Sequence, residues 1–174
     1  KNVNKPFCLI IASDYPHGPF PKTDNYGKAD IFKLPYDPNY VGNHKPGYYQ
    51  NIQDDNDQLG KVLEMVDKHG HRESSMFIYA SDHGLSGKWS LKEQGLRLPF
   101  VVRWPGKIMP NTTSQTLLTL VDVLPTILEV SKTKIPRELD GKSFVVSLKG
   151  DNKQINEYIY LSLIHISEPT RHER

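Results

Sequence analysis

Four residues carry the side chains best suited to chemistry: His17, Asp82, His83 and Lys88. Asp82 and His83 are adjacent and end the run "MFIYAS", and Lys88 follows a few residues later. A carboxylate and an imidazole side by side can bind a divalent metal ion. A nearby lysine can hold an anionic oxygen as a point charge. His17, set between Pro16 and Pro19, can give a proton to a leaving group. Together these groups suit metal-assisted attack on a sulfate or phosphate ester. Each also has an ordinary reading. Asp-His-Gly after a strand is a common turn in which the aspartate caps backbone N–H groups. By itself His17 reads by default as a loop histidine, and Lys88 as a solvated surface lysine.

The elements that must position these residues follow from hydrophobic pattern. "FCLIIA" (Phe7–Ala12) is continuously apolar and reads as a buried strand. It stops at "SDYPHGPFPK", where three prolines and a glycine force a loop. Thr23 to Gly47 is polar, rich in Pro and Tyr and without period, as in a long ordered loop. In "YYQNIQDDNDQLGKVLEMVDKHG", Tyr49, Ile52, Leu59, Val62, Leu63 and Val66 share one helical face, and Gly70 supplies the stop. The acidic group Asp54–Asp57 lacks calcium-loop spacing and reads as a solvated helix face. "SMFIYAS" and "PFVVRW" read as a second and a third buried strand. "TSQTLLTLVDVLPTILEVS" carries a short strand or turn and then a helix, with Pro125 tolerated in its first turn. "IPRELDGKSFVVSLKG" reads as a loop with a short helix. Strands alternating with helices indicate an α/β fold with a mostly parallel sheet. Ligands of such sheets sit at the carboxyl ends of strands. His17 after the first strand and Asp82 and His83 after the second would then share an edge if those strands run parallel.

Composition bounds the class. The 174 residues suffice for one domain with a core, and 37% apolar against 24% charged residues fits a folded, rather polar protein. A net charge of +2 without a basic stripe does not imply nucleic acid. No apolar run is long enough to span a bilayer as a helix. The single Cys8 excludes an internal disulfide. Asn111-Thr112-Thr113 is a glycosylation sequon in a eukaryotic secretory setting and a polar loop otherwise. The chain lacks an initiator Met and a signal peptide and reads as beginning mid-protein.

Taken in order, these segments resemble the sulfatase family of the alkaline-phosphatase superfamily. "KPFCLIIASDYPHGPF" looks like the family's strand followed by a Pro-His-x-Pro loop. "MFIYASDHGLSGKWSLKEQGLRLPFVVRWPGKI" is similar to its Asp-Asn/His-Gly, Gly-Lys, Glu, Arg and Trp-Pro-Gly block. "LVDVLPTILEVSKTKIPRELDGKSFVVSLKG" looks like the helix and Gly-x-Ser segment that follow. The likeness runs from about Lys5 to Gly150. It implies a partial alkaline-phosphatase-like α/β domain over residues 1–160, a central and C-terminal portion of a sulfuric ester hydrolase. It implies Asp82 and His83 as metal ligands, usually for calcium. Lys88 would contact the sulfate, and His17 would lie beside the leaving-group oxygen. His83 stands where many members have Asn, which opens the site to manganese or zinc. Lys92 stands where an aromatic is common.

The family nucleophile is a formylglycine made from Cys or Ser in a Cys/Ser-x-Pro-x-Arg type of motif. Cys8 lacks that context, so the nucleophile and further metal-binding aspartates are expected outside this chain. The resemblance implies a sulfated small molecule or polysaccharide as substrate, and an exported or lysosomal location. A phosphodiesterase or phosphonate hydrolase of the superfamily, or a non-catalytic sulfatase-like module, fits the same residues. "SEPTR" (Ser167–Arg171) mimics the nucleophile motif at the wrong end of the chain. Residues 161–174, containing "LSLIHISEPTR", resemble the translated read-through of a sequencing adaptor. No function is expected of that tail.

Overall fold

The computed structural model describes residues 5–23, 47–84, 91–151 and 153–160. Residues 24–46, where most of the expected loop falls, Lys88 and residues 161–174 lie outside the described residues. The chain divides between His69 and Gly70 into two compact units.

The first unit is built on helix α1, Tyr48–Lys68. Gly47 precedes it at φ 83, in the left-handed region that glycine enters without steric cost. A Cβ at Gly47 would also run into the Pro21 carbonyl, so position 47 joins the loop to the helix by close backbone contact. The helix ends at His69, and Gly70 follows at φ 74, the left-handed stop expected from "KHG". Tyr49, Ile52, Leu59, Val62, Leu63 and Val66 are all half-buried, but the fully buried positions are the polar Asn51 and Asp55. The acidic group is therefore not wholly a solvated face. Asp54 and Asp57 accept hydrogen bonds from Gln50 and Gln53 one turn earlier, whereas Asp55 turns inward.

Phe7–Ala12 corrects a second expectation. This segment forms no strand and is exposed, with Ile10 at 87%. A strand exists only where a neighbour takes up its alternating N–H and C=O groups. Among the described residues, strand pairing joins Phe77–Ala80 to Phe100–Arg103 and does not include this segment.

The second unit contains strands β1, Phe77–Ala80, and β2, Phe100–Arg103, with the short helix α2, Glu93–Leu96, before β2. The strands pair antiparallel, with Phe77 opposite Arg103 and Ala80 opposite Phe100. The α/β class stands, but the sheet described is a two-stranded antiparallel pair, not a parallel one. Its strands are half-buried, not fully buried, because a pair covered on one side leaves residues such as Val101 outside. "WPGKI" turns sharply after β2, with the Lys107 and Ile108 N–H groups donating to the Trp104 carbonyl.

The core of this unit lies between helices α3, Val123–Val130, and α4, Val145–Leu148. Thr119 opens a single 3₁₀ turn as a capping box with Asp122, and α3 follows with Pro125 in its first turn. Phe144 is fully buried and meets Phe100 edge-to-face, ring centroids 5.6 Å apart. Beside it sits a polar hub. The Asp122 carboxylate, 1% exposed, accepts from the Thr119 and Lys142 N–H groups and from the Asn156 amide. Thr126 donates to the Asp122 carbonyl and accepts from the Phe144 N–H. Buried polar atoms are tolerated when paired in this way. The hub ties the loop at 141–144 and the 153–157 segment to the start of α3.

Candidate active site

Asp82 and His83 form a bend immediately after β1. The bend is held from both sides. The Ser81 N–H donates to the Pro99 carbonyl at 3.3 Å, and the Gly84 N–H donates to the Gly95 carbonyl at 2.8 Å. Ser81 Oγ donates to the His83 carbonyl at 2.6 Å, closing the turn from within. The His83 N–H donates to Asp82 Oδ1 at 3.0 Å, as the turn reading of Asp-His-Gly requires. The turn uses one carboxylate oxygen, Oδ1, for the backbone.

The His83 ring is oriented by the backbone. Nδ1 lies 2.8 Å from the Gly84 carbonyl. A carbonyl oxygen only accepts, so Nδ1 carries the proton and the neutral ring leaves its lone pair on Nε2. A backbone carbonyl that fixes the tautomer of a ligating imidazole is a recurrent support of metal sites. Nε2 faces Asp82 Oδ2 at 3.9 Å, too far for a hydrogen bond. One cation with bonds of about 2.0–2.5 Å can bridge that separation. The Asp82 side chain is 83% exposed and that of His83 36%, so both donors are reachable from solvent. A carboxylate oxygen beside an imidazole nitrogen is a donor pair that would suit a divalent ion. Among the described residues no group of three or more potential metal ligands gathers.

His17 belongs to the first unit and is described there by itself. It does not follow a strand, since Phe7–Ala12 forms none, but it sits in a tied loop. Its N–H donates to the Asp14 carbonyl at 2.9 Å, and its carbonyl accepts from Asn51 Nδ2 at 2.9 Å. Its ring repeats the pattern of His83, with Nδ1 at 2.8 Å from the carbonyl of the next glycine, Gly18. Nε2 is again the unprotonated nitrogen of the neutral ring, on an exposed side chain. Lys88, the fourth candidate, lies outside the described residues. Asn51 and Asp55, which hold the His17 loop, were missed by pattern reading. The available signal was their i, i+4 spacing on one face of the helix.

A family model described as Sulfatase matches residues 1–133, most of the chain. The chain belongs to the sulfatase family. An ulvan-active sulfatase of Formosa agariphila is 42% identical over 165 residues, covering 92% of this chain and 33% of the relative. An endo-4-O-sulfatase of Bacteroides thetaiotaomicron is 29% identical, covering 83% of this chain and 33% of its own length. This sulfatase chain thus spans about a third of the length of these curated relatives. Among solved structures, one captured in complex with its substrate D-glucosamine-2-N,6-O-disulfate superposes with a TM-score of 0.59 at 22% identity. It covers 65% of this chain and 24% of that one. A phosphonate monoester hydrolase from Silicibacter pomeroyi superposes at 0.56 and 23% identity, covering 60% and 22%. These likenesses establish a partial alkaline-phosphatase-like fold for the sulfatase chain.

Proposed function

We propose that the protein carrying this chain hydrolyses sulfate esters or sulfamates of a sulfated carbohydrate. The observation that carries the reading is the close kinship with an ulvan-active sulfatase over nearly the whole chain. Asp82 and His83 hold a divalent cation, calcium first and manganese or zinc as alternatives, through a carboxylate oxygen and an unprotonated imidazole nitrogen. When bound, the cation supplies positive charge that offsets charge developing on sulfate oxygen. Lys88 binds a sulfate oxygen as a point charge. With Nδ1–H kept on the Gly18 carbonyl, the doubly protonated His17 ring gives its Nε2 proton to the oxygen or nitrogen of the departing sugar, which is otherwise a poor, basic leaving group. The attacking group is a formylglycine located outside these residues, since Cys8 has neither the proline nor the arginine of its motif. The chain alone is accordingly inactive. An exported or lysosomal setting accompanies this reading. Among the described residues, no helix is long and apolar enough to cross a membrane.

The test uses the full-length protein. Sulfate release from ulvan and from other sulfated polysaccharides is measured alongside a phosphonate monoester. Release from a sulfated substrate, abolished in Asp82→Ala, is the expected result. Turnover of the phosphonate ester alone would sink the reading.

A further inference from the structure

We propose that Asn51 and Asp55 are positioning residues that hold the His17 loop for proton transfer, a role resting on the reading of His17 as acid to the leaving group. Both lie one turn apart on α1, and they are its buried residues although both are polar, 3% and 9% exposed. Burying such groups is costly unless they are used. Asn51 Nδ2 donates to the His17 carbonyl at 2.9 Å. Asp55 Oδ1 accepts from Ser13 Oγ at 2.6 Å, and that same hydroxyl oxygen accepts from the Tyr15 N–H at 3.2 Å. The His17 N–H closes the loop onto the Asp14 carbonyl at 2.9 Å. One face of α1 thus grips the loop at Ser13 and at His17, its two ends. The backbone is pinned while the imidazole remains exposed, its Nδ1 committed to the Gly18 carbonyl and its Nε2 left for exchange. Neither clamp residue touches the ring, so both act through the backbone that carries it.

Histidine-labelled full-length protein makes this testable, with the His17 ring signals assigned from His17→Gln. Long-range ¹H–¹⁵N spectra should report an Nδ1–H tautomer for His17. Asn51→Asp keeps the size but replaces the donating amide by an acceptor. That variant and Asn51→Ala should turn the His17 signals into a mixture of tautomers, leaving those of His69 and His71 unchanged. Asn51→Gln, which retains a donor, should restore the pattern at least in part. Kinetics supply the second readout. Loss of the clamp should lower kcat on an alkyl sulfate by about 10-fold or more, and on 4-nitrophenyl sulfate by much less, because a good leaving group needs little acid assistance. Should Asn51→Ala fail to fold, Ser13→Ala, which removes the other tie, carries the same expectations. An unchanged His17 tautomer, or equal kcat losses on both substrates, would overturn the proposal. Full activity of His17→Ala would instead remove the acid role, and the tautomer readout would remain as a separate test of the clamp.

Discussion

At the scale of single residues, the two histidines share one device. Each ring donates Nδ1–H to the carbonyl of the glycine that follows it, and so presents Nε2. For His83, in the proposed role of metal ligand, this would fix the tautomer without a second side chain to support it. Asp82→Ala in the full-length protein should weaken calcium binding by more than about 100-fold by calorimetric titration, since even supporting groups around metal sites are worth about 10–100-fold. Because the Asp82 side chain is 83% exposed, the same change should move the denaturation midpoint little, by about 0.5 kcal/mol or less. Asp122 is the opposite case. Its buried carboxylate is met by three donors from separate segments, and Asp122→Ala would strand them. A loss of about 3 kcal/mol or more in urea unfolding is expected, with Asp122→Asn milder.

At the scale of elements, backbone proximity governs. A Cβ on Gly141 would run into the Val121 carbonyl beside the 3₁₀ turn. Gly141→Ala should therefore destabilise by about 1–3 kcal/mol in thermal unfolding. Gly70, at a similar helix-to-loop boundary, has open space around it and a φ of 74, so Gly70→Ala should cost only the backbone strain of about 1 kcal/mol. These contrasts also mark what pattern reading can and cannot reach. Helix α1 was legible because 21 residues repeat a period and end on a glycine. The helix around Pro125 was legible because proline is tolerated in a first turn, whereas the Thr119–Asp122 capping box before it was seen only in the structure. Asn51 and Asp55 were not, because a polar residue on a helix reads as solvated until its partner is known. Those partners lie 34 and 42 residues away. Phe7–Ala12 misled for a related reason. Apolar, β-prone composition describes what a segment can do, whereas a strand requires a neighbour to pair with.

At the scale of the whole molecule, the sulfatase family model matches most of the chain, and the chain spans about a third of its curated relatives. On the proposed reading, in which the attacking formylglycine lies outside these residues, the purified 174-residue chain should release no sulfate from 4-nitrophenyl sulfate above a no-protein control. The central claim is that this chain contributes metal-binding and acid groups to a carbohydrate sulfatase. Sulfate release by the full-length protein from a panel of sulfated polysaccharides, in parallel with His17→Ala and Asp82→Ala, tests it most directly. Turnover of at least one polysaccharide by the wild type is expected, with abolition in Asp82→Ala and a loss of about 100-fold or more in His17→Ala. Wild-type turnover that survives both substitutions would contradict it.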